Sequence, residues 1–185
     1  VWENGFALFN DVIEKYPTFS MAYYNRGNEF KDEATALSAV INKKRQTGAM
    51  ENPSENDERV KELYLKAIDD FSKAIEYRPE DFDAYNNRGL AYVMLKRSKK
   101  AIPDFEAAIR INPYFAMAYF NRGNAKYDTQ DLAGALEDYN KSVELKNDII
   151  DLYSNRGGVR AQLRDFKGAI EDFNTVLQRD PNYLD

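Results

Sequence analysis

The sequence predicts an all-α fold: a right-handed α-solenoid of antiparallel helix pairs, about 4.5 repeats and nine helices long. Three observations lead there. A six-residue motif recurs four times, as Ala22-Tyr23-Tyr24-Asn25-Arg26-Gly27, Ala84-Tyr85-Asn86-Asn87-Arg88-Gly89, Ala118-Tyr119-Phe120-Asn121-Arg122-Gly123 and Leu152-Tyr153-Ser154-Asn155-Arg156-Gly157. Its glycines lie 34 residues apart at 89, 123 and 157, and 62 apart between 27 and 89. A second motif follows each copy: Ala67, Phe71 and Pro79; Ala101, Phe105 and Pro113; Ala135 and Tyr139, with no proline; and Ala169, Phe173 and Pro181. A fixed period of this size marks a repeat architecture, in which each unit completes its core only against its neighbours.

The elements follow in order. Residues 1–19 read as half a repeat, supplying only a second helix through Phe9, Val12 and Pro17. Residues 20–81 form a repeat carrying a 28-residue insertion at about 33–60; residues 82–115, 116–149 and 150–183 are three further repeats. Residues 184–185 start another unit, so the chain reads as a piece of a longer protein. In each repeat the Gly of the first motif and the first Ala of the second are small where two helices cross, and the aromatics fill the space beside them. The closing proline stops the second helix. Pro103 falls inside the second helix of residues 82–115 and predicts a late start or a local bend.

The insertion is expected to be an ordered helical hairpin. Ala34, Leu37, Val40 and Ile41 continue the helical spacing of apolar residues to about Gln46, with Gly48 near the C-cap. Asn52, Pro53 and Glu55 then read as N-cap, N1 and N3 of the next helix, and Val60, Leu63, Tyr64 and Ala67 are apolar enough to pack against the first. At ~1.5 Å per residue, an even split of the insertion adds an arm of ~21 Å. It is a tolerated extension or an arm that meets a partner or a second copy, with disorder through the polar run Glu51 to Arg59 as the further alternative.

Composition narrows the chemistry. There is no His and no Cys, which removes Ser-His-Asp and Cys-His catalysis, disulfides and most zinc sites. No cofactor or metal and no enzyme active site is expected. The net charge of −5 gives no global attraction to nucleic acid or an anionic membrane, and no stretch approaches the ~20 apolar residues of a membrane span. A soluble protein, cytoplasmic or periplasmic, is expected, with its compartment left open.

The two motifs resemble the tetratricopeptide repeat, and the resemblance covers nearly the whole chain. Counting each repeat from seven residues before its first-motif glycine, aromatics fall at positions 4 and 24, Gly at 8, Ala at 20 and Pro at 32. The resemblance implies that the first (A) helices line a groove that receives an extended peptide or a partner helix. Carried over residue by residue, position 6 is Asn25, Asn87, Asn121 and Asn155, each with a donor and an acceptor for a peptide backbone. Four such bonds at ~0.5–1.5 kcal/mol give roughly 4 kcal/mol, about millimolar affinity. Specificity then falls to Tyr24, Asn28, Asn86, Leu90, Phe120, Asn124 and Tyr127, with Met21, Met94 and Met117 beside them. A structural alternative is an inter-repeat hydrogen bond through the same asparagines. The family's two-carboxylate clamp for acidic tails is not expected: Asn28 and Asn87 match it, but Tyr24, Met117 and Asn121 stand where three cations belong.

Two further ladders are expected to be structural. Arg26, Arg88, Arg122 and Arg156 fill position 7, and Asp70, Asp104, Asp138 and Asp172 fill position 23. Opposite charges at matched positions predict an ion pair across the helix pair, within or between repeats; an arginine ladder gripping an acidic ligand is the alternative. The expected function is a protein-interaction scaffold for a protein or peptide partner of unknown identity. Self-assembly into a homo-dimer or larger oligomer, through solenoid ends or the hairpin arm, and the targeting region of a larger enzyme are the alternatives.

Overall fold

The computed structural model describes residues 5–47, 53–145 and 148–183, and within these nine α-helices and no strand are present. They fall into two compact units, 1–97 and 98–185. The first holds α1 (Gly5–Lys15), α2 (Ser20–Gln46), α3 (Pro53–Tyr77) and α4 (Phe82–Met94). The second holds α5 (Ser98–Ile111), α6 (Ala116–Asp128), α7 (Leu132–Glu144), α8 (Ile150–Gln162) and α9 (Phe166–Arg179).

Within each unit consecutive helices pack on one another, and the A helices of successive repeats touch, α2 with α4 and α6 with α8. The glycine of the first motif sets the crossing distance. A Cβ built on Gly27 would lie 2.9 Å from the Phe71 ring, on Gly123 2.6 Å from the Tyr139 ring, and on Gly157 2.8 Å from the Phe173 ring. Real side chains do not approach so closely, so the position-8 glycine and the position-24 aromatic are one packing feature. Ala67, Ala101 and Ala135 beside these aromatics are fully buried, and Ala169 is nearly so.

Helix ends follow local chemistry. Asp81, Asp131 and Asp165 cap α4, α7 and α9 by accepting from the backbone N–H three residues on. Between the A and B helices the chain turns through Lys96, Gln130 and Arg164, which have φ of 57°, 67° and 64°. Two backbone bonds, as in Arg97 N–H to Tyr92 O and Lys96 N–H to Val93 O, close the turn after α4. These residues repeat every 34 positions although none is Gly, the residue that adopts this conformation without strain.

α2 has 27 residues against 13 in α4, α6 and α8. It runs to Gln46, and Thr47 caps it. Ala34, Leu63 and Tyr64 are buried in a cluster that Leu37 and Val60 flank, and Ile41 is buried as well. Tyr64 Oη meets Thr35 Oγ1 at 3.1 Å. Val40 departs from the expected stripe: it is 51% exposed, because α3 covers the side of α2 that carries Ala34, Leu37 and Ile41. The expected cap at Gly48 and the Asn52 cap lie outside the described residues, as do the side chains of Pro53 and Glu55.

α5 corrects one expectation, since it starts at Ser98 and passes through Pro103 with no late start. Proline here removes one helical bond, the one that would reach the Lys99 carbonyl. Both Lys99 and Pro103 are exposed, so water can satisfy that carbonyl.

Candidate functional site

The first motif places its side chains in two directions. Position 7 faces the B helix of its own repeat. Arg26 Nε and Nη2 donate to the two oxygens of Asp70 at 2.8 and 2.7 Å; Arg122 does the same to Asp138, and Arg156 to Asp172. Such two-pronged pairing suits guanidinium and would not survive replacement by Lys. The hydrogen bond to Asp70 holds the Arg26 guanidinium above its ordinary value. Each arginine also lies over the position-4 tyrosine of its own helix, with guanidinium-to-ring distances of 5.8 Å for Arg26–Tyr23, 5.6 Å for Arg88–Tyr85, 5.7 Å for Arg122–Tyr119 and 5.5 Å for Arg156–Tyr153. Arg88 and Asp104 fall in different units, and Arg88 Nη1 donates to Ser72 Oγ at 3.0 Å. With Asp70, Asp138 and Asp172 buried under their partners, the three pairs are part of the interior.

Positions 6 and 9 face the other way and meet between repeats. In the first unit Asn87 Nδ2 donates to Asn28 Oδ1 at 3.1 Å and to Tyr24 Oη at 3.2 Å. Asn155 Nδ2 donates to Asn124 Oδ1 at 2.9 Å in the second. An asparagine of one repeat is thus fixed by an asparagine of the repeat before it. Both N–H groups of Asn87 are engaged, so toward a ligand its amide offers the acceptor oxygen rather than the donor-acceptor pair expected from sequence. Asn25 is half-buried, Asn155 exposed and Asn121 buried.

The other groove candidates separate by exposure. Met21, Met94, Met117 and Tyr127 are 38–48% exposed. Asn86 and Phe120 at position 5 are buried; Phe120 packs on Tyr139 with ring centroids 6.0 Å apart. Tyr24, also at position 5, lies 6.0 Å from Phe71, and burial pushes its phenol above the ordinary value. Position 5 is thus buried in Asn86 and Phe120 and half-buried in Tyr24. Leu90 is half-buried on α4.

Sequence reasoning missed a cavity in the second unit. It has a volume of about 290 Å³ and lies among Asn124, Asp128, Tyr139, Ser154, Asn155 and Gly158, with Tyr127 at its edge. Tyr139 Oη donates to Asn124 Oδ1 at 2.8 Å, and Gln162 Nε2 donates to Tyr127 Oη at 2.9 Å. Burial, helped by the Asp128 carboxylate, pushes the Tyr139 phenol far above its ordinary value, so it stays a donor. A Cβ on Gly158 would meet nothing within 4 Å. The signal was present in the Gly157-Gly158 doublet, where the first glycine answers a crowded crossing and the second has no packing reason at all.

Among the described residues no three His, Cys, Asp or Glu side chains come together as a metal site, and no helix is long and apolar enough to cross a membrane. Models of the tetratricopeptide repeat match residues 82–115, 101–148 and 150–183, and a TPR repeat model matches 62–96. No curated protein matches the chain. Among solved structures, MamA aligns over 94% of this chain and 85% of its own, at 19% identity and a TM-score of 0.73. YrrB, described as a TPR protein with an unusual peptide-binding site, aligns over 95% and 94% at 20% identity and a TM-score of 0.59. The first TPR of Spaghetti (RPAP3), bound to the HSP90 peptide SRMEEVD, aligns over 72% and 98% at 25% identity and a TM-score of 0.53.

Proposed function

Because the chain belongs to the tetratricopeptide-repeat family and is an all-α solenoid of that kind, we propose that this interaction scaffold holds an extended peptide segment along its A helices, at α2 and α4 in the first unit and α6 and α8 in the second. The observation that carries the reading is the pairing of Asn87 with Asn28 and of Asn155 with Asn124. Each bond fixes an amide plane before any ligand arrives, so less side-chain entropy is lost on binding. The amide oxygens of Asn87 and Asn155 accept main-chain N–H groups of the peptide, and the exposed Met21, Met94 and Met117 give an adaptable apolar surface beside them.

YrrB and the RPAP3 repeats support a peptide as the ligand class. The acidic HSP90 tail is not carried over, since Tyr24, Met117 and Asn121 occupy the positions where cations would grip its carboxylates. No catalytic group enters the reading.

The test is fluorescence anisotropy with a labelled library of uncharged nonapeptides against the whole chain and the Asn87→Ala/Asn121→Ala/Asn155→Ala variant. Loss of at least tenfold in affinity is expected, with helicity by circular dichroism unchanged. Equal affinity of the two proteins would discard the asparagine reading.

A second reading has an observation of its own. On α7, Leu132, Leu136 and Val143 are covered by the core that α8 completes. At the same register on α9, Phe166, Ile170 and Leu177 are 62%, 59% and 39% exposed. A second copy seated there would make the chain a self-assembly module. Light scattering of the wild type and of Phe166→Glu/Ile170→Glu decides it: a concentration-dependent dimer lost in the variant supports this reading, and a monomer in both removes it.

A further inference from the structure

We propose that the cavity at Gly158 is a side-chain pocket that takes a lysine or arginine of the bound peptide. The inference rests on the peptide reading above and adds the residue class that the groove selects.

Size comes first. At about 290 Å³ the cavity lies at the small end of the ~300–1,000 Å³ typical of whole small-molecule sites, and so suits one long side chain rather than a free ligand. It exists because position 9 of the last repeat is Gly158, where the other three repeats carry Asn28, Leu90 and Asn124. Leu90 is the direct contrast, a branched side chain at the place where Gly158 leaves open space.

Chemistry then selects the occupant. No residue lining the cavity is basic. Asp128 accepts a hydrogen bond from Ser98 Oγ at 2.7 Å and, among the described residues, is in no ion pair. The basic residues nearest in sequence are committed elsewhere, Lys126 to Asp138 at 2.9 Å and Arg160 to Asp172 at 3.0 Å. Tyr139 directs its hydroxyl hydrogen to Asn124. Asn155 uses an N–H on Asn124 as well, which leaves its own oxygen as an acceptor. The cavity is thus lined by the Asp128 carboxylate, the Asn155 amide, Ser154 and the side chains of Tyr139 and Tyr127, and the Ser154 hydroxyl also pairs with Tyr183. Acceptors with one negative charge suit an ammonium or guanidinium on an aliphatic stem. An acidic side chain would meet Asp128, and a purely apolar one would leave these acceptors dry and unpaired.

The test uses four fluorescein-labelled nonapeptide pools, uncharged at eight positions and fixed at the central one as Lys, Arg, norleucine or Glu. Anisotropy is read on the whole chain and on two variants. Gly158→Leu fills the cavity at a position where the helix has room, and Asp128→Asn removes the charge at constant shape. The Lys and Arg pools should bind the wild type at least fivefold more tightly than the norleucine pool, and the Glu pool most weakly. Both variants should erase that preference. A preference that is absent, or that survives Gly158→Leu, overturns the pocket and leaves the groove reading standing. Failure of every pool to bind the wild type overturns the groove reading and the pocket together.

Discussion

The two units solve one problem with the same residues and arrive at different surfaces. In the first, Asn87 bonds to Asn28 and Tyr24, Leu90 stands beside them, and the aromatic behind is Phe71. In the second, Asn155 bonds to Asn124, Gly158 replaces the leucine, and Tyr139 replaces the phenylalanine and adds a hydroxyl. At the second step a polar cavity opens. Two changes at fixed repeat positions, Leu90 to Gly158 and Phe71 to Tyr139, accompany that cavity. The buried charges differ in parallel. Asp70 receives Arg26, whereas Asp138 receives Arg122 and Lys126, and Asp172 receives Arg156 and Arg160. The second cation sits at position 11, where the first unit has Phe30.

That contrast can be broken most severely at the carboxylates. Asp138→Ala and Asp172→Ala each strand two cations in a largely buried place and should cost about 3–5 kcal/mol of stability, with Asp70→Ala costing less because it strands one. Urea unfolding followed by circular dichroism measures this, and equal losses in all three would deny the difference between the units. The glycine doublet gives the next effect, with opposite signs at adjacent residues. Gly157→Ala should destabilise by about 1–3 kcal/mol, since its methyl would press on the Phe173 ring. Gly158→Ala should stabilise by about 0.5–1 kcal/mol, because it gains helix propensity and meets no neighbour.

Smaller effects separate the two asparagines. Asn87→Ala should cost about 1 kcal/mol, since it abandons two half-buried partners, and Asn155→Ala less, since it is exposed with one bond. Thermal melts of the two variants rank them, and a greater loss in Asn155→Ala would reverse the assignment. The smallest change is Gln130→Gly, which relieves a positive φ in the second unit and should raise stability by several tenths of a kcal/mol in the same melts.

Much of the fold was legible because its causes are local and repeated. Gly27, Gly123 and Gly157 each announce an aromatic on the facing helix, and the 34-residue spacing fixes which one. The run of α2 to Gln46 followed from apolar spacing alone, although Val40 did not, since sequence cannot say how wide a face the partner covers. The late start expected at Pro103 does not occur, since the cost of a proline depends on exposure, which the sequence does not display. The site was less legible. Equivalent positions gave Asn25, Asn87, Asn121 and Asn155 one expected role, whereas their burial differs from exposed to nearly complete. Phe120 and Asn86, expected beside the asparagines, are buried. The cavity is made by a missing side chain, and absence is hard to read in a string of residues that otherwise repeats.

The most direct measurement follows the asparagine side-chain amides and the backbone amides of the ¹⁵N-labelled chain by NMR, during titration with the uncharged nonapeptide library. Saturable shifts are expected at the Asn87 and Asn155 side-chain amides and along α4 and α8, with the arm of α2 and α3 beyond Ala34 unchanged. Shifts confined to that arm, with the Asn87 and Asn155 amides still, would contradict the groove reading.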